Sequence, residues 1–364
     1  RKFFELAEAR DDVISLGVGE PDFSAPWAAR NAAIGALERG RTSYTANRGT
    51  AELRAAIAAH HERYDQSYDG DSEVLVTTGA SEAVDLAFRT LVDPGDVVAL
   101  HEPTYISYAP GVELAGGEPL SVPTAAEDDF ALTPDRLAAA GAADADLLVL
   151  CYPNNPTGAT MSDAELAEVA AFCREHEIRV VADEIYSALT YGADHASIAT
   201  QPGMRERTVV VNGFSKAYAM TGLRLGYALG PAETIDAMNR IHQYTMLSAP
   251  TTAQHAALEA LRSCDDEVEE MVDEYNRRRR LVVSRFNAMG LDTFEPGGAF
   301  YAFPRCGGDD EAFAEALLNE QGVAVVPGSV FGAGGEGHLR VSYATSMREL
   351  KEATDRIAAF VENR

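Results

Sequence analysis

Asn212-Gly-Phe-Ser-Lys216-Ala-Tyr-Ala-Met-Thr-Gly-Leu-Arg224-Leu-Gly226 is the stretch on which the reading of this chain turns. Of 30 basic residues only three are lysines, and Lys2 and Lys351 lie near the ends, so Lys216 stands alone in the middle of an arginine-rich sequence. Arginine serves wherever a fixed positive charge is enough. It cannot replace an amine that must lose its proton and form a Schiff base with an aldehyde, which takes lysine's titratable nitrogen on a flexible stem. Small residues and glycines surround Lys216 and Arg224 follows eight positions later, a pattern that suits a loop holding an amine and a guanidinium around one phosphorylated ligand. The plain alternative is a lysine that happened to survive in an Arg-rich composition.

Outward from this stretch, short β-branched runs at 73–78, 96–100, 146–151, 179–182 and 208–212 read as strands separated by helical patterns. Apolar runs of this kind imply a mostly parallel sheet sandwiched by helices, an α/β fold. Helix starts are marked by Ser162-Asp-Ala-Glu165, a capping box, and by Thr133-Pro134, an N-cap followed by proline at the first helical position. From 264 to 289 the apolar spacing is that of one long helix closed by Gly290. It leads toward a smaller α+β region, where strands at 298–303 and 338–343 surround a helix at 309–321. The expected organisation is a large domain over 28–275 and a small domain built from both chain ends, 1–27 and 276–364. The glycine-rich patch 332–337 reads as a surface loop.

Ligands bind at the carboxyl ends of strands in open α/β sheets, and three of these strands end in informative residues. After 73–78 comes Gly79-Ala80-Ser81-Glu82, a turn opening a helix whose free N–H groups attract phosphate; an ordinary strand-to-helix turn reads the same way. After 146–151 comes Tyr152-Pro-Asn-Asn155-Pro-Thr-Gly158. After 179–182 comes Asp183-Glu-Ile-Tyr186, where Asp183 is either a helix cap or a carboxylate presented to a ligand.

Composition narrows the field. The 364-residue chain is 46% hydrophobic and 24% charged, with a formal net charge of −27. That charge would repel nucleic acid and anionic lipid, so neither is an expected partner. An acidic chain with almost no lysine suits a halophile's acidic proteome, the alternative being an ordinary acidic enzyme. No apolar stretch approaches the ~20 residues of a membrane helix, and the charged first residues do not read as a secretory signal; a cytoplasmic location is expected. Cys151, Cys173, Cys264 and Cys306 form no C-x-x-C pair and the eight histidines no ligand spacing, so no metal site is expected and the thiols should be free and buried.

Six stretches, Gly17-Val-Gly19-Glu-Pro-Asp-Phe23, Ser43-Tyr44-Thr-Ala-Asn-Arg-Gly49, Asn155-Pro-Thr-Gly158, Asp183-Glu-Ile-Tyr186, the lysine segment and Leu339-Arg340-Val-Ser342, resemble in order the class I aminotransferases of the aspartate aminotransferase fold (fold type I). The resemblance implies a transaminase that uses pyridoxal 5′-phosphate (PLP), with a ping-pong transfer of an amino group from an L-amino acid to a 2-oxo acid such as 2-oxoglutarate, and a homodimer with shared active sites. It implies that Lys216 holds the cofactor as an aldimine and moves the proton, that Asp183 faces the pyridine nitrogen, and that Asn155 and Tyr186 hydrogen-bond the phenolic oxygen. Tyr105 would stack on the ring. Ala80, Ser81, Ser215 and Arg224 would surround the phosphate, with Tyr44 reaching the neighbouring subunit's cofactor. Arg340 would grip the substrate α-carboxylate, with Asn155 and Gly19 beside it. Two positions depart from the family pattern: Gly213 stands where many relatives have a phosphate-binding serine, and Ser81 where some aspartate-specific relatives have lysine. A carbon–sulfur β-lyase on the same fold and, more remotely, a non-catalytic PLP-binding regulator are the competing readings.

Overall fold

The computed structural model describes residues 13–363. Strand β1 (Ile14–Ser15) pairs far from the main sheet, which is built from β2 (Val74–Thr77), β3 (Val97–Glu102), β4 (Glu118–Pro123), β5 (Leu147–Cys151), β6 (Arg179–Asp183), β7 (Thr208–Gly213) and β8 (Gly226–Leu229). Their order across the sheet is β2-β8-β7-β6-β5-β3-β4. Strand β8 runs antiparallel to both neighbours and the other pairs are parallel. The central strands are continuous apolar runs because helices cover both faces: β5 is buried along its whole length, and only Arg179 of β6 is exposed.

Five of these seven strands are legible from the sequence, and the two that are not have physical reasons. Strand β4 is a largely exposed edge carrying two prolines and a glutamate, residues an edge tolerates and a central strand does not. Strand β8 has only four residues and begins with glycine. Both helix-start signals hold: Ser162 and Glu165 form a reciprocal capping box for the helix Asp163–Glu175, and Thr133 caps Pro134–Ala139. The long helix spans Asp265–Ala288.

Beyond that helix, β9 (Tyr301–Ala302), β10 (Val323–Ala324), β11 (Val326–Pro327) and β12 (Leu339–Ser342) complete the strands. A three-stranded sheet has the order β11-β12-β9, and β1 pairs parallel with β10, joining the N-terminal segment to this region. Residues 298–303 are expected as a full strand, but only Tyr301–Ala302 pairs with β12 while Gly298 makes an isolated bridge to Thr190. Of the four cysteines, Cys151, Cys173 and Cys264 are buried, whereas Cys306 is only half-buried, with its Sγ 3.3 Å from the Gly337 carbonyl. Among the described residues, no helix is long and apolar enough to cross a membrane, and no group of three or more His, Cys, Asp or Glu is placed to hold a metal.

The register explains where a site can form. Cys151 lies opposite Asp183, and Asp183 opposite Val211, so β5, β6 and β7 end along one edge of the sheet. Residues just past that edge, Ile185, Tyr186, Leu189 and Tyr191, pack into an apolar cluster with Leu16, Phe300, Tyr301, Leu339 and Val341. A second cluster includes Phe214, Tyr218, Leu225 and Tyr227. The Asp183–Tyr186 turn therefore bridges the sheet and the C-terminal region.

Candidate active site

Lys216 lies in the turn after β7. Its Nζ donates to the Gly19 carbonyl at 2.6 Å and sits 5.9 and 5.7 Å from the ring centroids of Tyr186 and Phe300. Burial, followed by smaller effects of Arg340 and Arg224, lowers its amine to about 8, although Glu20 and Asp183 pull the other way. The amine is thus brought close to neutrality, where it can both take and release a proton.

Asp183 ends β6 and is buried. Its Oδ2 accepts from the Tyr108 hydroxyl at 2.7 Å and its Oδ1 from the Ile185 amide at 3.1 Å. The carboxylate therefore braces its own turn, but residues 185–188 form turns and no helix starts there, so the helix-cap reading of Asp183 does not hold. Burial pushes it up to about 6 against the lowering effect of those two hydrogen bonds. A cationic group placed beside it would restore the anion.

Of the paired asparagines, Asn154 is structural: its Nδ2 donates to the Pro103 carbonyl and to Thr157 Oγ1, both at 3.0 Å. Asn155 turns its Oδ1 to Arg340, whose Nη1 donates to it at 3.0 Å. Because a guanidinium can only donate, it fixes the amide orientation and leaves the Asn155 Nδ2 donor for another group. Arg340 Nη2 donates to the Gly17 carbonyl at 2.5 Å, while its buried Nε has no hydrogen-bond partner among the described residues. The Tyr186 hydroxyl lies 2.9 Å from that of Tyr301. A Cβ at Gly19 would come within 2.6 Å of the Tyr301 hydroxyl, so any side chain here would have to displace that tyrosine.

At the other end, the helix Gly79–Leu91 begins at the edge of the sheet. A Cβ at Gly79 (φ +77°) would lie 2.6 Å from Arg224 Nη2, which places the exposed Arg224 guanidinium over this helix start beside Ala80 and exposed Ser81. Ser215 is buried in the turn before Lys216. Gly213 has a packing reason: a Cβ there would sit 3.0 Å from both the Gly226 Cα and the Leu225 carbonyl oxygen, so β7 and β8 approach too closely for serine without displacement. Tyr105 is partly exposed, its ring edge-on to Tyr108 at 5.6 Å. Tyr44 is 81% exposed, on a segment held by Thr251 through the Ser43 carbonyl.

Tyr108, Tyr301, Phe300 and Glu20 belong to this constellation and are not singled out by sequence reasoning. Tyr108 has a visible signal, lying three residues after Tyr105. Tyr301 and Phe300 follow Gly297-Gly298, but nothing local reveals that their strand pairs with the one bearing Arg340. A cavity of about 550 Å³ lined by Phe23, Ala217, Glu267 and Arg277 adjoins the lysine turn, and Lys216 is not among its lining residues.

An amine on a loop, a buried carboxyl, a carbonyl-anchored guanidinium and a helix start with its own arginine thus stand together at one edge of the sheet. The chain belongs to the class I and II aminotransferases, whose family model matches residues 11–357. It is 51% identical to a putative aminotransferase, YugH, of Bacillus subtilis, over 99% of this chain and 95% of that one. To an aspartate aminotransferase of Pyrococcus abyssi it is 44% identical, over 98% and 94%. The crystal structure of an aromatic aminotransferase from Pyrococcus horikoshii superposes with a TM-score of 0.94 at 43% identity, covering 100% of this chain and 99% of that one. The protein is an amino-acid transaminase that depends on pyridoxal 5′-phosphate, and the residues fit that cofactor: amine for aldehyde, anion-binding helix start for phosphate, and a buried carboxyl for the pyridine nitrogen. The β-lyase reading is not favoured.

Proposed function

We propose that the chain transfers the amino group of an L-amino acid to 2-oxoglutarate by a ping-pong cycle, working as a homodimer with shared sites in an acidic, salt-adapted cytoplasm. The observation that carries the reading is the convergence of Lys216, Asp183, Asn155 and Arg340 from four separate stretches at one edge of the sheet. The division into a large domain (28–275) and a small one (1–27 with 276–364) belongs to the same reading, the site lying where the two meet.

When bound, PLP supplies an electron sink for the bond pair released at the substrate Cα. Asp183 would face the pyridine nitrogen and, beside that cation, be held as the carboxylate. Lys216, its amine lowered to about 8, would take the substrate Cα proton on Nζ and later release it. Arg340 grips the α-carboxylate through parallel hydrogen bonds, exchanging its Gly17 and Asn155 partners for the stronger anion. Arg224 and the amides of Ala80 and Ser81 would hold the phosphate, with Ser215 in the adjoining turn. Asn155 Nδ2 and Tyr186 would donate to the phenolic oxygen, and Tyr105 would stack on the ring.

Within one chain Tyr44 projects outward, and near it Tyr244 is 86% exposed, Met246 50% and Leu247 40%. Asn47 Nδ2 donates to the Leu247 carbonyl at 2.6 Å, joining these segments in one surface. Exposed aromatic and apolar residues gathered in this way mark an interface, which supports a second subunit here. The relatives named above act on different donors by name, aspartate and aromatic amino acids, and the lack of lysine at Ser81 supports a donor other than aspartate.

The test is the visible absorbance of the holoenzyme with single amino acids and no acceptor. Bleaching by one class of donor, reversed by 2-oxoglutarate, is expected. Pyruvate and ammonia accumulating from cysteine or cystathionine without an acceptor would overturn the transfer reading.

A further inference from the structure

Two aromatic rings bear on the Arg340 guanidinium. Its Cζ lies over both Tyr301 and Phe331, 4.9 Å from each ring centroid. Tyr301 comes from β9, the direct neighbour of β12, which carries Arg340. Phe331 comes from elsewhere, at the end of the short turn Gly328–Phe331 that leads into the glycine-rich loop. Its ring is 5% exposed, and its carbonyl accepts from the Thr104 amide at 3.0 Å.

The loop is the patch that reads as surface in the sequence, and its glycines have a packing role. A Cβ at Gly328 would lie 2.1 Å from the Gly335 carbonyl oxygen, and the Gly328 amide donates to the His338 carbonyl at 2.8 Å. On the other side the Glu102 carboxylate accepts from the Ala333 amide at 2.9 Å. The turn is thus tied to the end of β3 and to the start of β12, which fixes the place of the Phe331 ring.

A free arginine side chain samples many rotamers, and ordering it during binding weakens affinity. Here the edge of the guanidinium is set by Gly17 and Asn155, while the rings attract its cation, an attraction that grows with desolvation. We propose that Phe331 is a positioning residue for the carboxylate clamp: its ring holds the Arg340 guanidinium ready for the α-carboxylate, and its carbonyl bond to Thr104 keeps the clamp in register with the neighbouring Tyr105. The inference rests on the reading of Arg340 as that clamp.

The test uses holoenzyme of the native sequence and of Phe331→Met, Phe331→Tyr and Arg340→Gln. Binding of two unreactive carboxylates, succinate and 3-phenylpropionate, is followed by titration calorimetry, alongside steady-state kinetics and melting temperature. Phe331→Met keeps volume and apolarity but has no ring. It is expected to weaken the bound carboxylates and raise KM for both amino and oxo acid by about tenfold, the upper part of the range for a desolvated cation–π contact. Because the carboxylate is gripped equally in the ground and transition states, kcat should stay within about twofold. Phe331→Tyr should recover most of the affinity. If Phe331→Met does not fold, Phe331→Leu takes the same test. Unchanged binding in the Phe331 variants, with binding lost in Arg340→Gln, overturns the role of Phe331 and leaves the clamp standing. Unchanged binding in Arg340→Gln overturns the clamp itself. A lower melting temperature or kcat without weaker binding also overturns the proposal.

Discussion

The two ends of the site are built by opposite means. At the strand ends, Asp183, Asn155, Tyr186 and Arg340 are buried, and each has a polar partner in the same chain. At the end proposed to hold phosphate, Ser81 and Arg224 are exposed and Tyr44 reaches into solvent. Burial does the tuning at the first end, raising Asp183 to about 6 and lowering Lys216 to about 8. At the second end water screens such effects, so recognition depends on fixed donors, a helix start and a guanidinium. One end is therefore enclosed within a single chain, and the other is open, as the proposed second subunit would require.

The largest effect should come at the buried end. Lys216→Arg keeps the charge but removes the titratable amine. Steady-state activity should fall by at least the ~10²- to 10⁴-fold range of a positioned proton-transfer group, and mass spectrometry after borohydride reduction should show no cofactor attached. Full activity would break the assignment of chemistry to that end. Arg340→Gln should raise KM for donor and acceptor by about 10- to 100-fold, the loss of charge-assisted hydrogen bonds of roughly 1.5–3 kcal/mol, and a change confined to kcat would place the residue in another role.

At the exposed end, Tyr44→Phe should weaken PLP retention by a few-fold, about the 0.5–1.5 kcal/mol of one hydrogen bond, as measured by equilibrium dialysis. The same loss in a protein that sediments as a monomer would remove the shared-site explanation. The smallest effect is a titration. With only three lysines in the chain, ¹³C-dimethylation of the cofactor-free protein should give resolved signals, one with a midpoint near 8 where lysine ordinarily titrates at 10.5. Between those values the unfolded chain binds more protons than the folded one, so stability should rise with pH in that window. Below about pH 8 the amine is charged in both states and its burial cost is undiminished. Lys216→Met should therefore melt higher than the native cofactor-free protein, most clearly below pH 8.

Local rules carried far in this chain. The parallel core strands, the capping box at Ser162 and Glu165 and the helix Asp265–Ala288 follow from patterns a few residues long. The edge strand Glu118–Pro123 and the short antiparallel strand Gly226–Leu229 do not, since their residues fit a strand only beside particular neighbours. The site divides similarly. Lys216, Asp183 and Asn155 follow strands and turns recognisable on their own, whereas Tyr108, Tyr301 and Phe331 acquire their roles from partners 75, 115 and 9 positions away along the chain: Asp183, Tyr186 and Arg340.

By itself the sequence determined which residues could do chemistry, because a lone lysine among arginines and a carboxylate at a strand end reflect demands that few side chains meet. Only the tertiary structure decided the state in which they work. It buried Asp183 against Tyr108, brought Lys216 to the Gly19 carbonyl, turned Asn155 toward Arg340 and set two rings against that guanidinium. The reason is physical: proton affinity and hydrogen-bond direction are fixed by the local dielectric and by contacts through space, and those come into being only when distant segments meet.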